Sequence, residues 1–184
     1  MAANPPPLVA HFDGLCEPAN PGGWGCGGWW LDTDPPIEGW RVYGREPAMT
    51  NNRTEFSAAL DALRAVYATG WRGPVILRGD SQVVIRQLTG AYQCHAPALV
   101  PLRAAVLHGA TFFASVSYEW VPRTENMRAD ALSRLAYRVA RERERPAPPV
   151  PQRAVRADTG AVAAAREERL HPIEILMRRG RRAS

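Results

Sequence analysis

Four acidic residues stand out in this sequence because each lies where a predicted strand or loop gives way to a turn or a helix. A buried or crowded carboxylate is costly unless a positive charge neutralises it. Carboxylate oxygens are also the ligands that hard divalent cations accept. If the fold brings these acids together, they predict a divalent metal site formed by Asp13, Glu55, Asp80 and Asp130.

Three of these acids also have a purely structural interpretation. Asp13 precedes a glycine, a pair that is common in turns, so it could simply end a strand. Glu55 follows Asn52 by three residues, which resembles a capping box at the start of a helix. Asp80 or its neighbour Ser81 could cap the helix that comes next. None of these local roles would need a metal.

The fourth acid lies inside a predicted helix. Asp130 could form an ordinary surface ion pair with Arg134, four residues on, worth roughly a few tenths of a kcal/mol. Asn126 lies four residues earlier on the same helical face, so an amide and a carboxylate could reach one site together. His11 points to the same strand face as Asp13, where it could either border this site or pack within the sheet.

Hydrophobic periodicity predicts an α/β protein whose elements follow the order βββαβααβα. The strands are predicted at 8–12, 24–31, 38–45, 75–77 and 112–121, and the helices at 52–69, 81–88, 97–108 and 124–141. Short connections make the first three strands an antiparallel meander. The strand-helix-strand order that follows implies parallel additions with right-handed crossovers. The predicted fold is therefore a five-stranded mixed sheet flanked by helices.

Composition divides the chain into one globular domain, residues 1–141, and a basic extension, residues 142–184. The 184 residues are 46% hydrophobic, which is enough for one substantial core. The first part carries 13 Arg and 12 acids, whereas the second carries 10 Arg and 6 acids among many Pro and Ala residues. This second composition predicts a flexible extension whose charge suits a polyanion.

The sequence also argues against a membrane, secreted or zinc-binding protein. No apolar run approaches the ~20 residues that span a bilayer, and the first residues lack the basic and apolar regions of a signal peptide. The three cysteines form no CxxC pair. We therefore expect a cytoplasmic protein with no membrane partner.

Four motifs, taken in order, resemble those of the type 1 ribonuclease H family. They are Phe12-Asp13-Gly14 followed by an Asn-Pro-Gly loop, Thr50-Asn51-Asn52-Arg53-Thr54-Glu55, Gly79-Asp80-Ser81-Gln82, and Trp120-Val121-Pro122-Arg123 leading to Asn126-Met127-Arg128-Ala129-Asp130. The resemblance covers roughly residues 8–140 and excludes the tail. It implies the ribonuclease H-like fold, in agreement with the predicted sheet.

The resemblance implies an endonuclease that hydrolyses the RNA strand of RNA/DNA hybrids and leaves 5′-phosphate and 3′-hydroxyl ends. It implies two divalent ions, usually Mg²⁺ with Mn²⁺ as a substitute. Asp13, Glu55 and Asp80 would hold one ion, and Asp13 with Asp130 the other. Double-stranded RNA is a second candidate substrate, and a monomer is expected. The implied substrate contacts are Asn20, Asn51, Asn52, Ser81, Arg123 and Asn126.

Two departures from the family pattern bear on turnover and on binding of the hybrid, and two other functions of this fold stay open as alternatives. Many members carry a histidine on the loop after the last strand, where this chain has Arg123, a poor proton carrier. Some bacterial members insert a basic protrusion where this chain offers only residues 90–96. The alternatives are a hybrid-binding module without catalysis and a DNA-directed nuclease or integrase of the same fold.

Overall fold

The computed structural model describes residues 5–144 of the chain. Within that range a single mixed sheet carries five strands in the spatial order β3-β2-β1-β4-β5. In chain order the elements are β1 (Leu8–Glu17), β2 (Trp24–Leu31), β3 (Ile37–Arg45), α1 (Asn51–Ala68), β4 (Pro74–Gly79), α2 (Gln82–Leu88), α3 (Val100–Ala110), β5 (Ser115–Trp120), a 3₁₀ turn (Arg123–Glu125) and α4 (Met127–Glu144). The first three strands pair antiparallel, and β1, β4 and β5 pair in parallel. The predicted element order and five-stranded mixed sheet are confirmed.

The first strand is longer than the sequence predicted. Its parallel pairing with β4 ends at His11, opposite Arg78, whereas its antiparallel pairing with β2 continues to Glu17. Asp13 therefore lies inside a strand, and the expectation that it ends the strand in a turn is wrong. Because the β1–β4 pairing stops two residues earlier, Asp13 still faces the open region beyond the carboxyl end of β4.

Glycines let two helices approach opposite faces of this strand pair. Successive side chains of a strand point to opposite faces. A Cβ on Gly14 would collide with the backbone of Thr54 and Glu55 in α1. A Cβ on Gly28, which pairs with Asp13, would collide with the backbone of α4. Asp13 therefore points toward the α4 face, and the residue after it lies directly against α1.

Helix α1 buries most of the apolar stripe that its periodicity predicted. Phe56, Ala59, Leu63 and Val66 are at most 1% exposed and belong to the main core between α1 and the sheet. Tyr67, which the same periodicity assigned to the buried face, is 46% exposed. It lies in the last turn of the helix, one residue before the end, so the pattern continued past the point where the helix covers the core.

Helix α4 and the other connections differ in their bounds from the prediction. The last helix begins at Met127, after a 3₁₀ turn, and it continues to Glu144, three residues past the predicted boundary at 141. Helix α3 and strand β5 each begin three residues later than predicted. The rest of the predicted extension lies outside the described residues. None of the helices within residues 5–144 combines the length and apolar character that a membrane span needs.

Candidate active site

Three of the four acids singled out in the sequence come together beyond the carboxyl end of β4. Asp13 projects from the middle of β1, Glu55 from the second turn of α1, and Asp80 follows the last residue of β4. One carboxylate oxygen from each lies within 4.8 Å of the others. Asp13 is 5% exposed and Glu55 is 7% exposed. Two of the three acids are therefore removed from water.

Asp130 lines the same cleft, which has a volume of about 410 Å³, but its carboxylate is engaged by two arginines. Arg134 donates from Nε to Asp130 Oδ2 at 2.9 Å. Arg123 donates from Nη2 to Asp130 Oδ1. The predicted ion pair with Arg134 is therefore present, and a second arginine joins it. Both oxygens of the fourth carboxylate accept from guanidinium groups.

Neither Glu55 nor Asp80 caps a helix. Thr50 is the N-cap of α1, and its Oγ1 accepts from Arg53 N at 3.3 Å, so the capping-box interpretation of Glu55 is wrong. Ser81 is the N-cap of α2, and its Oγ accepts from Val84 N at 3.4 Å. Side-chain oxygens of Thr and Ser satisfy the free amides at both helix starts. The two carboxylates therefore stay available to the cleft.

Burial makes the charges of this cluster costly. Burial, and then the nearby carboxylates of Asp80 and Asp130, raises the pKa of Asp13 from 3.8 to about 7, and the hydrogen bond from Ser133 opposes the rise. Burial, followed by the charges of Asp13 and Asp80, also raises the pKa of Glu55, against a hydrogen bond from the Gly14 amide. The cluster must therefore take up protons or a cation.

The donor set fits a divalent cation. All three residues of the cluster offer carboxylate oxygens, the ligands that Mg²⁺ and Mn²⁺ prefer. Glu55 Oε2 is buried and has no hydrogen-bond partner among the described residues. A buried oxygen without a donor is rare in folded proteins. A cation among these oxygens would satisfy Oε2 and lower the cost of the neighbouring charges.

Ser133 is a member of this site that the sequence did not reveal. Its side chain is fully buried in α4, and its Oγ donates to Asp13 Oδ2. It lies on the part of α4 that packs over Gly28, the partner of Asp13 in β2. A single serine within this helix carries no sequence signal. Only the packing of α4 on the sheet brings this hydroxyl to the carboxylate.

Asn126 contacts Asp80 from the interior of the protein and has no exposed surface. Its Nδ2 donates to Phe12 O at 2.8 Å and to Asp80 Oδ1 at 3.3 Å. Its side chain is 0% exposed, so the expected direct contact with a substrate does not fit its position. The sequence correctly associated this amide with the acidic site. The structure places it against the back of a carboxylate instead of in the cleft.

His11 is packed within the sheet and contacts this amide. Its ring stacks on Trp30 with the centroids 4.6 Å apart, and its Nδ1 lies 3.4 Å from Asn126 Oδ1. Burial lowers the pKa of His11, although the hydrogen bond to Asn126 opposes the change. Of the two sequence interpretations, the packed histidine is the one that the structure shows.

The other predicted substrate contacts lie in or beside the cleft. Asn51, Asn52, Ser81 and Arg123 line it. Asn51 Oδ1 accepts from Cys16 N at 2.6 Å, and Asn20 Oδ1 accepts from Asn51 N at 3.2 Å. These two hydrogen bonds therefore join the end of β1 and the loop after it to the start of α1. Arg123 has an exposed guanidinium group whose partner is Asp130.

Comparison with known proteins agrees with this architecture. A family model described as reverse transcriptase-like matches residues 40–136. Ribonuclease HI of Halobacterium salinarum is 40% identical over 126 residues, which are 67% of this chain and 61% of that protein. The chain therefore spans less than two thirds of this curated relative.

Solved structures extend the likeness over the described fold. The crystal structure of the type 1 RNase H from Halobacterium salinarum has a TM-score of 0.66 and 36% identity, and the match covers 73% of this chain and 99% of that one. LC11-RNase H1 in complex with RNA/DNA hybrid has a TM-score of 0.65, with 72% and 98% coverage. Its identity of 24% supports the shared fold alone. With the ordered motifs, the acidic cluster and these matches in agreement, the chain belongs to the type 1 ribonuclease H family, within the reverse transcriptase-like proteins.

Proposed function

We propose that this protein is an endoribonuclease that hydrolyses the RNA strand of RNA/DNA hybrids and leaves 5′-phosphate and 3′-hydroxyl ends. One observation carries the proposal. Asp13 lies in β1, Glu55 lies in α1 and Asp80 follows β4, and their carboxylate oxygens meet within 4.8 Å beside a cleft that Asp130 also lines. Such a concentration of buried acids costs stability. It is well suited to holding divalent cations against a phosphodiester.

Two Mg²⁺ ions are the cofactor that we propose, with Mn²⁺ as a substitute. Asp13, Glu55 and Asp80 would hold one ion, and Asp13 with Asp130 would hold the other. When bound, such ions supply a hydroxide nucleophile at neutral pH and stabilise the charge on the departing 3′ oxygen. The unpartnered Oε2 of Glu55 and the raised pKa of Asp13 support the first position.

Two buried side chains orient these carboxylates by hydrogen bonds. Ser133 donates to Asp13 from the α4 side, and Asn126 donates to Asp80 from behind. Both donors are fully buried, so water does not compete for these two hydrogen bonds. Partners of this kind orient metal ligands and are needed for full affinity. Arg123 is exposed at the cleft and can exchange Asp130 for a substrate phosphate.

Recognition of the hybrid would depend on sugar and phosphate, not on base identity. Asn51, Asn52 and Ser81 line the cleft next to the acids, where amide and hydroxyl groups can reach the 2′-hydroxyl and the backbone. Asn20, which accepts from the Asn51 backbone, would position this group. LC11-RNase H1, which shares the fold, is bound to an RNA/DNA hybrid in its crystal structure.

We also propose a role for each part of the chain and a cellular location. Residues 1–141, with α4 extended to Glu144, would form the catalytic domain, and the basic residues that follow would add electrostatic attraction to the substrate. The enzyme would act as a monomer in the cytoplasm.

Cleavage of end-labelled substrates tests the proposal. Hybrid, double-stranded RNA, single-stranded RNA and duplex DNA would each be incubated with Mg²⁺ or Mn²⁺. We expect cleavage of the RNA strand of the hybrid, and its loss in Asp13→Asn and Asp80→Asn. Asp34→Asn, an exposed acid in the turn before β3, is the matched control and should keep full activity. Faster cleavage of duplex DNA, or no metal-dependent cleavage of the hybrid, would reject the proposal.

A further inference from the structure

The buried side-chain amide of Asn126 donates to Asp80 in an orientation that two acceptors favour. Asn126 Nδ2 lies 2.8 Å from Phe12 O and 3.3 Å from Asp80 Oδ1, and both of these atoms are acceptors. The NH₂ group must therefore point toward them. If the amide were turned over, its oxygen would face a carbonyl and a carboxylate, and like partial charges would repel. This contact fixes Asn126 Oδ1 on the opposite side, toward His11.

His11 supplies the donor that this oxygen needs. Its Nδ1 lies 3.4 Å from Asn126 Oδ1, and because an amide oxygen only accepts, Nδ1 must carry the hydrogen. The ring is 6% exposed and stacks on Trp30 with an interplanar angle of 14°. Arg128 covers the Trp30 ring in turn, with its guanidinium carbon 4.8 Å from the centroid. The imidazole therefore has little freedom to turn away.

The carboxylate of Asp80 depends on this arrangement more than its backbone does. Trp120 Nε1 donates to Asp80 O at 3.0 Å, and Ser81 begins helix α2, so two separate contacts hold the main chain here. Among residues 5–144, Asn126 is the only side chain hydrogen-bonded to the Asp80 carboxylate. Whatever fixes the amide of Asn126 therefore also sets the direction of that carboxylate.

We propose that His11 is a positioning residue for the cation site, because its Nδ1–H holds Asn126 in the orientation that donates to Asp80. His11 touches neither the cleft nor the cluster, and it acts through one intermediate side chain. The inference rests on the proposed function only in that Asp80 is taken as a cation ligand. Without the donor, Asn126 Oδ1 would be buried and unsatisfied, which reduces the preference of the amide for the orientation that donates to Asp80.

Two substitutions separate the hydrogen bond from the packing. His11→Phe keeps an aromatic ring against Trp30 and removes the donor. His11→Asn removes the ring and keeps a donor, because the Asn Nδ2 stands near the place of the imidazole Nδ1. A role in packing alone would make the asparagine variant the more damaged of the two. A role in positioning makes the phenylalanine variant the more damaged.

Calorimetric titration of Mg²⁺ and Mn²⁺ into the full chain without nucleic acid gives the main readout. Removing a partner that orients a metal ligand typically weakens metal binding by about 10- to 100-fold. Because His11 acts one residue further away, we expect cation binding to be about 10-fold weaker in His11→Phe. His11→Asn should stay within about twofold of the wild type. Cleavage of the hybrid should show a lower kcat in His11→Phe and an unchanged KM, because His11 lies outside the cleft.

A nitrogen spectrum of the wild-type protein tests the same inference directly, with His11→Phe used only to assign the signal. In ¹⁵N-histidine-labelled protein, the signal that disappears in His11→Phe should show a proton on Nδ1. A proton on Nε2 alone would overturn the proposal, as would unchanged cation affinity in a folded His11→Phe. An equal loss of affinity in both variants would also overturn it. Failure of the wild type to cleave any hybrid would instead reject the proposed function, and the affinities and the spectrum would still decide the role of His11.

Discussion

Replacing Asp13 with asparagine should stabilise this protein when no divalent cation is present, and the gain should depend on pH. Asparagine has nearly the same shape, and its amide oxygen can still accept from Ser133. The substitution therefore removes a charge and changes little else. In the folded protein, burial and the nearby carboxylates raise the pKa of Asp13 from 3.8 to about 7.

Proton linkage gives the sign and the size of the effect. Between about pH 4 and pH 7 the folded state binds more protons at Asp13 than the unfolded chain does, because its pKa rises from 3.8 to about 7 on folding. The free energy of unfolding therefore falls as the pH rises through this window, by roughly 4 kcal/mol. Above the window the ionised Asp13 imposes the whole cost, and below it Asp13 imposes none.

Urea unfolding in EDTA, followed by circular dichroism from about pH 4 to pH 8, measures this cost. At the upper end of this pH range the free energy of unfolding of Asp13→Asn should exceed that of the wild type by roughly 4 kcal/mol. For a domain of this size this equals about 10 °C in Tm. At the lower end the variant should gain nothing. Asp34→Asn is the matched control, since it removes an exposed acid away from the cleft. Added Mg²⁺ should stabilise the wild type and not the variant. A variant less stable than the wild type at the upper end, or a gain independent of pH, would refute the reasoning.

Three further predictions concern the surroundings of the cluster. Ser133→Ala removes the hydrogen bond that lowers the pKa of Asp13, so the acidic limb of the pH–rate profile should move to higher pH. The rate near neutrality should fall roughly tenfold. Ser117→Ala, on β5, should leave the profile unchanged. Arg123→His should raise kcat, because an imidazole carries protons near neutral pH and a guanidinium does not; an unchanged or lower kcat would count against this. Removing residues 145–184 should raise KM for the hybrid and flatten its dependence on salt, because it removes basic residues that attract phosphate; an unchanged salt slope would contradict it.

The acidic site was largely predictable from the sequence because its members lie in short motifs with local signals. Asp80 and Ser81 show the limit of those signals, since the sequence indicated that either of them could cap α2 and did not say which. The structure assigns the cap to Ser81. Glu55 shows the same limit, because Thr50 takes the cap that the spacing from Asn52 suggested.

The parts that the sequence missed depend on which elements touch. Strand β1 continues past Asp13 because β2 still pairs with it after β4 has stopped, and a single sequence does not show where each partner ends. Ser133 joins the site because α4 packs over Gly28. Asn126 was associated with the right site on helical spacing, but it precedes α4 and faces inward. Local chemistry was therefore visible in the residues, whereas the contacts behind it depended on packing.

The arrangement of charges explains why partly exposed Asp130 and the buried pair Asp13 and Glu55 are neutralised in different ways. Asp130 lies at the side of the cleft, where Arg123 and Arg134 can reach it while their own guanidinium groups stay in water. Asp13 and Glu55 are buried between β1, α1 and α4, and an arginine brought to them would itself lose its hydration. Two ways of lowering their cost remain, a bound proton or a small cation. Because Glu55 Oε2 has no hydrogen-bond partner within the described residues, a cation would also give this buried oxygen a partner. The burial that destabilises these charges is therefore the same property that favours a divalent ion there.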